Sequence, residues 1–179
     1  QLTGPELATR LSMFLWCSIP DDELRRLSSS GRLLEPEVFQ SQIGRLLADH
    51  RAKRLSKHFV HQWLDMQLLD YRNVPRPLEP LKESMRQEPI ELFHAMVRSA
   101  ASVLDFLHSD YTMVDERLAV HYGLPNVRGN HFRRVKLDPA SRRGGLLTQA
   151  GLLAMNSSGE DSHPLKRGVW LLECLLNDP

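Results

Sequence analysis

Apolar positions recur every three to four residues through most of this chain, the period of helices that bury one face. Thr3 and Glu6 form a capping box with Pro5 in the first turn, and Leu7, Leu11, Phe14 and Leu15 follow at helical spacing, which predicts a first helix. Pro20-Asp21-Asp22-Glu23 opens a short second helix, and Gly31 after Ser29-Ser30 suits its left-handed stop. Pro36 starts a third, with Val38, Phe39, Ile43, Leu46 and Leu47 as its stripe, and Asp49 caps the next. The fourth runs through Leu55, Phe59, Val60, Trp63, Leu64 and Leu68, with Lys53, Arg54 and Lys57 on its wet side.

Pro75, Pro77 and Pro80 break the pattern and predict a linker or ordered loop over Arg72 to Pro80. Pro89 then reads as a helix start, and Ile90, Phe93, Val97, Ala101 and Leu104 keep the period to about His108. DYTMVDERLAVHYG reads as a turn, an Asp115 cap, a short helix and a Gly123 stop. After Leu124 the pattern changes. HFRRVKL alternates like a strand, RRGGLLTQAGLLAMN restores a short helix after two glycines, and Ser162 with Pro164 opens a last helix to about Leu176. The expected fold is therefore all-α: an irregular multi-helix bundle over residues 1–125, then a loop-rich C-terminal extension over 126–179 in which a short strand pair can form.

The chain of 179 residues, 41% hydrophobic and 25% charged, is long enough to bury a core without staples. Its 23 Lys and Arg against 22 Asp and Glu leave a charge of +1, too little to recruit nucleic acid or an anionic membrane by its field. The basic groups Arg133, Arg134, Lys136, Arg142, Arg143, Lys166 and Arg167 have few aromatic neighbours for stacking on bases and read as solvated faces. No apolar run approaches the roughly 20 residues of a membrane span. A start at Gln1 fits a processed chain or an excised piece, so the missing signal leaves the compartment open. Cys17 and Cys174 sit in apolar settings at opposite ends, compatible with buried free thiols or with one bridge.

The chemistry-bearing motifs are sparse. Eight histidines occur without HExxH or Cys-x-x-Cys, and His58 with His61 has no flanking carboxylate, so no metal site is expected. There is no GxGxxG, GxxxxGK[ST] or GxSxG. Gly144-Gly145 behind Arg142-Arg143 fits either a small anion-binding turn or a plain glycine turn. The acid pairs Asp21-Asp22 and Asp115-Glu116 stand at helix starts, where the dipole explains them. Glu160-Asp161 with His163 lies in a loop instead, where sites are commoner. Trp16, Trp63 and Trp170 fall on apolar stripes and are expected in the core.

The segments ELATRLSMFLWCSIPDDELRRL, FVHQWL, DYTMVDERLAVHYGL and RRGGLLTQAGLLAMNSSGEDSHPLKRGVWLLECLLNDP together resemble the large planctomycete cytochrome-associated proteins, over nearly the whole chain. The resemblance implies a secreted or periplasmic multidomain protein in which c-type haem modules accompany domains of unknown function. It further implies that a proline-rich stretch and a Cys-x-x-Cys-His site follow the segment like GVWLLECLLNDP, so that this chain stops short of a haem-binding segment. No Cys-x-x-Cys-His occurs within it, and no haem of its own is expected. The family brings no catalytic residues to carry over.

Two functions follow as expectations. The first is a helical scaffold that docks adjacent c-type cytochrome domains of the same polypeptide, with Lys166 and Arg167 as residues that could face a haem. The alternative is an oxidoreductase or hydrolase completed by a neighbouring haem domain. It needs convergent polar groups in a cleft, for which Asp161, His163, His121 and Arg143 are the catalytic candidates.

Overall fold

The computed structural model describes residues 2–71, 76–158 and 161–178, the side chains of 76–78 excepted. It is mostly α-helical, with one two-stranded antiparallel pair. Contacts divide the chain into two units, residues 1–58 and 59–179, each with its own core.

In the first unit, helix α1 (Gly4–Trp16) begins where Glu6 accepts from both the Thr3 amide and hydroxyl, each at 2.8 Å. Asp21 caps α2 (Asp22–Ser29) by accepting from the Leu24 amide, and its carboxylate also takes both arms of Arg45 on α3 (Pro36–Ala48) at 2.7 and 3.1 Å. Asp49 accepts from the Arg51 amide at 2.8 Å, and a 3-10 turn leads into α4 (Lys53–Trp63). The core gathers Leu15, Trp16, Leu24, Leu33 and Leu46, and the Trp16 indole N–H donates to the Leu46 carbonyl at 2.9 Å. The inward row of α1 is Ala8, Ser12, Leu15 and Trp16, whereas Phe14, expected in the stripe, is 66% exposed.

Helix α4 ends at Trp63 rather than running on through Leu68. Leu64 and Met66 are both fully buried, yet on a continuous helix they would point about 200° apart. The left-handed Asp65 (φ 49°) breaks the helix and turns both inward before α5 (Leu68–Tyr71). Of the expected linker, 72–75 lies outside the described residues, and Arg76–Leu81 is a 3-10 helix.

Helix α6 (Lys82–Ser99) starts seven residues before Pro89, which lies inside it rather than at its start. A proline there leaves the carbonyl of Met85 without its helical donor. Gly151 answers this from α9 (Ala150–Met155): a Cβ on Gly151 would lie 2.6 Å from the Met85 oxygen, so only glycine lets the two backbones meet. After α7 (Leu104–Leu107), strand β1 (Tyr111–Val114), which the pattern suggested as a turn, pairs with β2 (Arg133–Lys136), Tyr111 opposite Lys136 and Val114 opposite Arg133. Between them Asp115 caps α8 (Glu116–Tyr122), and Gly123 (φ 69°) stops it, as the sequence predicts. The chain closes with α10 (Pro164–Trp170) and one wider turn, Leu171–Leu175. The core of this unit joins Leu64, Leu69, Ile90, Leu92, Leu118, Leu146, Met155 and Trp170, so the extension packs on the same core as α6. Trp170 is buried, and Trp63 half-buried with its indole donating to the Cys174 carbonyl at 2.8 Å. Both cysteines are free, Cys17 exposed and Cys174 half-buried. No described helix is long and apolar enough to cross a membrane.

Candidate functional site

Glu88, on the inward face of α6, is 1% exposed. One carboxylate oxygen accepts from the Thr112 hydroxyl of β1 at 2.7 Å, the other from the Tyr122 hydroxyl of α8 at 2.6 Å. The same Tyr122 oxygen accepts from the Ala150 amide at the start of α9, at 2.7 Å. One carboxyl thus ties three elements together and reaches a fourth. Arg143 lies with its guanidinium carbon 4.2 Å from the centre of the Tyr122 ring and donates to the Thr148 carbonyl at 3.2 Å. Glu88, Thr112, Tyr122, Arg143 and Thr148 enclose a void of about 10 Å³, on the order of one water.

Burial governs the charges here. It pushes the Glu88 carboxyl up to about 7, against the hydrogen bonds from Tyr122 and Thr112 and the pull of Arg143. Burial, and then the neighbouring Glu88, raises the Tyr122 phenol well above its ordinary range. His121, its ring centre 5.5 Å from that of Tyr122, is lowered by desolvation and then by Arg143. This cluster can hold or release one proton near neutrality, in a space that admits nothing larger than a water.

His121 and Arg143 flank the Glu88 cluster. Among the described residues no hydrogen bond or ion pair joins Asp161 or His163 to His121 or Arg143. Asp161 is exposed and exchanges backbone bonds with Ser158, its amide donating to the Ser158 hydroxyl at 2.9 Å. His163, not Ser162, caps α10, its Nδ1 accepting from the Lys166 amide at 3.3 Å. Ser162 instead accepts from the Arg167 guanidinium at 2.5 Å. The Gly144-Gly145 turn has no amide left for an anion: Gly144 N–H donates to Thr148 Oγ1 at 3.0 Å and Gly145 N–H to Ser109 Oγ at 3.2 Å. Both glycines are demanded by packing, since added Cβ atoms would lie 2.4 Å from the Ser109 carbonyl oxygen and 2.0 Å from that of Leu107. Among the described residues no three His, Cys, Asp or Glu side chains converge for a metal.

Beside α9, Arg167, Gly168 and Trp170 of α10 border a cleft of about 220 Å³, walled otherwise by Leu147, Leu152, Leu153, Asn156 and Leu171. Along α10 and the wider turn that follows it, the large apolar residues Leu165, Val169, Leu172 and Leu176 recur every three or four positions and are 78%, 53%, 43% and 63% exposed. Lys166 and Arg167 are half-buried.

Sequence reading missed Glu88, Thr112 and Tyr122. A signal was present: Met85, Glu88, Leu92 and Met96 share one helical face, so a carboxyl had to enter the core once α6 was extended back past Pro89. It also missed Gln149, 2% exposed with neither amide atom hydrogen-bonded.

Compared with known families, residues 2–124 match the family described as PSD4, protein of unknown function (DUF1592), and residues 143–179 match PSCyt3, protein of unknown function (DUF1588). No curated protein and no solved structure matches the chain.

Proposed function

From the premise that this chain belongs to the PSD4 family of proteins of unknown function (DUF1592), we propose that it is a helical scaffold within a multidomain extracytoplasmic redox protein, docking c-type cytochrome domains of the same polypeptide. On this reading it works in the periplasm or outside the cell, and the haem belongs to the neighbouring domains. The family name PSCyt3, matched by the last segment, hints at cytochrome association and supports the reading.

The observation that carries it is the exposed row Leu165, Val169, Leu172 and Leu176, which lies inside that last segment. Four large apolar side chains close together in sequence, on α10 and the turn that follows it, are left in water. Covering each would return roughly 1 kcal/mol or more. A few kcal/mol suffices for domains held on one chain, because tethering raises their effective concentration to about the millimolar range. The polar groups favour the docking reading too, since no bond joins the two pairs of catalytic candidates and the space beside Glu88 is about that of one water.

The test compares the full polypeptide with this chain alone. The full polypeptide should show c-type haem absorption, and amide hydrogen exchange over residues 164–176 should be at least about tenfold slower in it. Leu165→Ser with Leu172→Ser should remove that protection. Absence of haem absorption, or equal exchange in the two proteins, refutes the proposal.

A further inference from the structure

The strand pair β1 and β2 has an edge that the chain itself does not use. Tyr111 to Val114 run opposite Lys136 to Arg133, and in the same register the Leu137 amide donates to the Asp110 carbonyl at 2.8 Å. That bond fixes the phase of the ladder. In an antiparallel pair, residues that exchange both bonds alternate with residues that exchange none. Leu137, Val135 and Arg133 therefore aim their backbone groups at β1, and Lys136 and Arg134 aim theirs the opposite way. Among the described residues no hydrogen bond reaches the backbone N–H or C=O of Arg134 or Lys136, and no third strand lies beside them. Both residues are exposed. On the far side of β1 the chain supplies a partner of its own, the Ser109 hydroxyl, which donates to the Tyr111 carbonyl at 2.8 Å. Two donors and two acceptors on β2 are left as a template for one more strand.

Arg134 and Lys136 also share one face of the pair, with Met113 and Tyr111 across from them, while Thr112 and Val114 on the other face are buried. The Arg134 guanidinium carbon lies 3.6 Å from the centre of the Tyr111 ring, a stacking that holds the long side chain in place. Among the described residues neither cation forms an ion pair.

The charge decides what this edge accepts. A lysine on a short edge strand guards against indiscriminate pairing. A second copy of the chain, antiparallel through β2, would set Arg134 and Lys136 against Lys136 and Arg134, and like charges directly opposite are destabilising. A strand with carboxylates at alternate positions would instead place one beside each cation. The main-chain bonds require a polypeptide, since nucleic acid or lipid could answer the charges but not the edge.

We propose that β2 is a docking edge for an extended acidic segment of a partner protein, which adds as a third strand on the Arg134 and Lys136 backbone with Asp or Glu at alternate positions facing their side chains. None of the residues of the row Leu165, Val169, Leu172 and Leu176 takes part, so the inference holds or fails without the docking function above.

The test titrates the intact chain with a short end-blocked peptide of alternating Glu and Thr. Two controls run in parallel: the same peptide with Lys for Glu, and the Glu peptide N-methylated at its Glu residues, which keeps the charge and loses the donors that would meet β2. The amide signals of Arg134 and Lys136 are followed by NMR, with those of Arg133 and Val135, already bonded to β1, as internal references. The Glu peptide should give saturable shifts and slower hydrogen exchange at Arg134 and Lys136, and both controls should bind at least about tenfold more weakly. Arg134→Glu with Lys136→Glu should reverse the choice in favour of the Lys peptide. Lys136→Glu alone leaves Arg134 on Tyr111, so it tests the charge even if the double variant fails to fold, and should weaken the Glu peptide at least about threefold. Absence of saturable shifts, equal binding of the N-methylated peptide, or unchanged binding in Lys136→Glu overturns the proposal. So does a concentration-dependent dimer of the chain alone that protects the same two amides, which would make a second copy the occupant.

Discussion

Replacing Glu88 by glutamine tests the account of the buried cluster quantitatively. The carboxyl is raised from its ordinary 4.5 to about 7 because its ionised form has lost most of its water and has no ion-pair partner in contact. The folded chain therefore binds a proton between about pH 4.5 and 7 that the unfolded chain has already released. Stability contributed by the neutral carboxyl is fully present below about 4.5 and is lost as pH rises through about 7, a change of roughly 3 kcal/mol. Glu88→Gln keeps the size and removes the charge: its amide oxygen can accept from Tyr122 while its amide nitrogen donates to the Thr112 hydroxyl, at a cost of about 1 kcal/mol for the rearranged bonds. Near pH 5 the variant should equal the wild type or fall below it by about 1 kcal/mol, and near pH 8 it should exceed it by about 2 kcal/mol. Urea unfolding read from Trp63 and Trp170, both in this unit, at several pH values gives the comparison. Only the difference between the two proteins is informative. His121, held below its ordinary 6.5, contributes a slope of the opposite sign, gaining stability as pH rises, and is common to both. A difference that stays flat from about pH 5 to 8 would refute the reasoning.

Two further outcomes follow from the same core. Tyr122→Phe removes a donor from Glu88 and the acceptor of the Ala150 amide, so it should cost about 2 kcal/mol and move the Glu88 titration further above neutrality, seen as a protonated-carboxyl infrared band that persists to higher pH. Gly151→Ala places a Cβ 2.6 Å from the Met85 carbonyl oxygen and should cost more than about 2 kcal/mol in urea unfolding, although alanine is the better helix former. If Gly151→Ala is neutral, the account of the meeting between α6 and α9 is wrong.

What the sequence made legible was local chemistry. Thr3 with Glu6, Asp115 and Gly123 each act within four residues of the backbone they serve and stand where their cap or stop was expected, whereas Asp49, expected to cap the fourth helix, caps the 3-10 turn that leads into it. The misses share a nonlocal cause. Pro89 reads as a helix start because an interior proline strands a carbonyl, and the accommodation for that carbonyl, Gly151, lies 62 residues further on. Strand β1 is only four residues long, and its partner comes after α8, so no periodicity reveals it. Asp65 breaks α4 because Leu64 and Met66 both have to reach the core, a demand of packing rather than of aspartate. For the candidate site, the loop position of Asp161 and His163 suggested chemistry, but their atoms complete a turn and a helix cap.

The same contrast separates residues that close the fold from those left to meet something else. Gly144 and Gly145 fit either an anion cradle or a plain turn by sequence, and the plain turn is what they form: their amides are bonded and the space beside them is filled by the backbone at Leu107 and Ser109. Arg143, next to them, lies across Tyr122 and donates to Thr148, so its charge serves the buried cluster. Along α10 and the wider turn after it the balance is reversed: Leu165, Val169, Leu172 and Leu176 lie in water. That exposed carbon carries a cost that folding of this chain does not recover. An unrecovered cost shared by four neighbouring side chains is more economically explained by a partner that covers them than by four separate accidents of sequence. The surface of α10 and of the turn that follows it, rather than the titratable cluster that first draws attention, is therefore where substitutions should change what the protein docks against while leaving its fold intact.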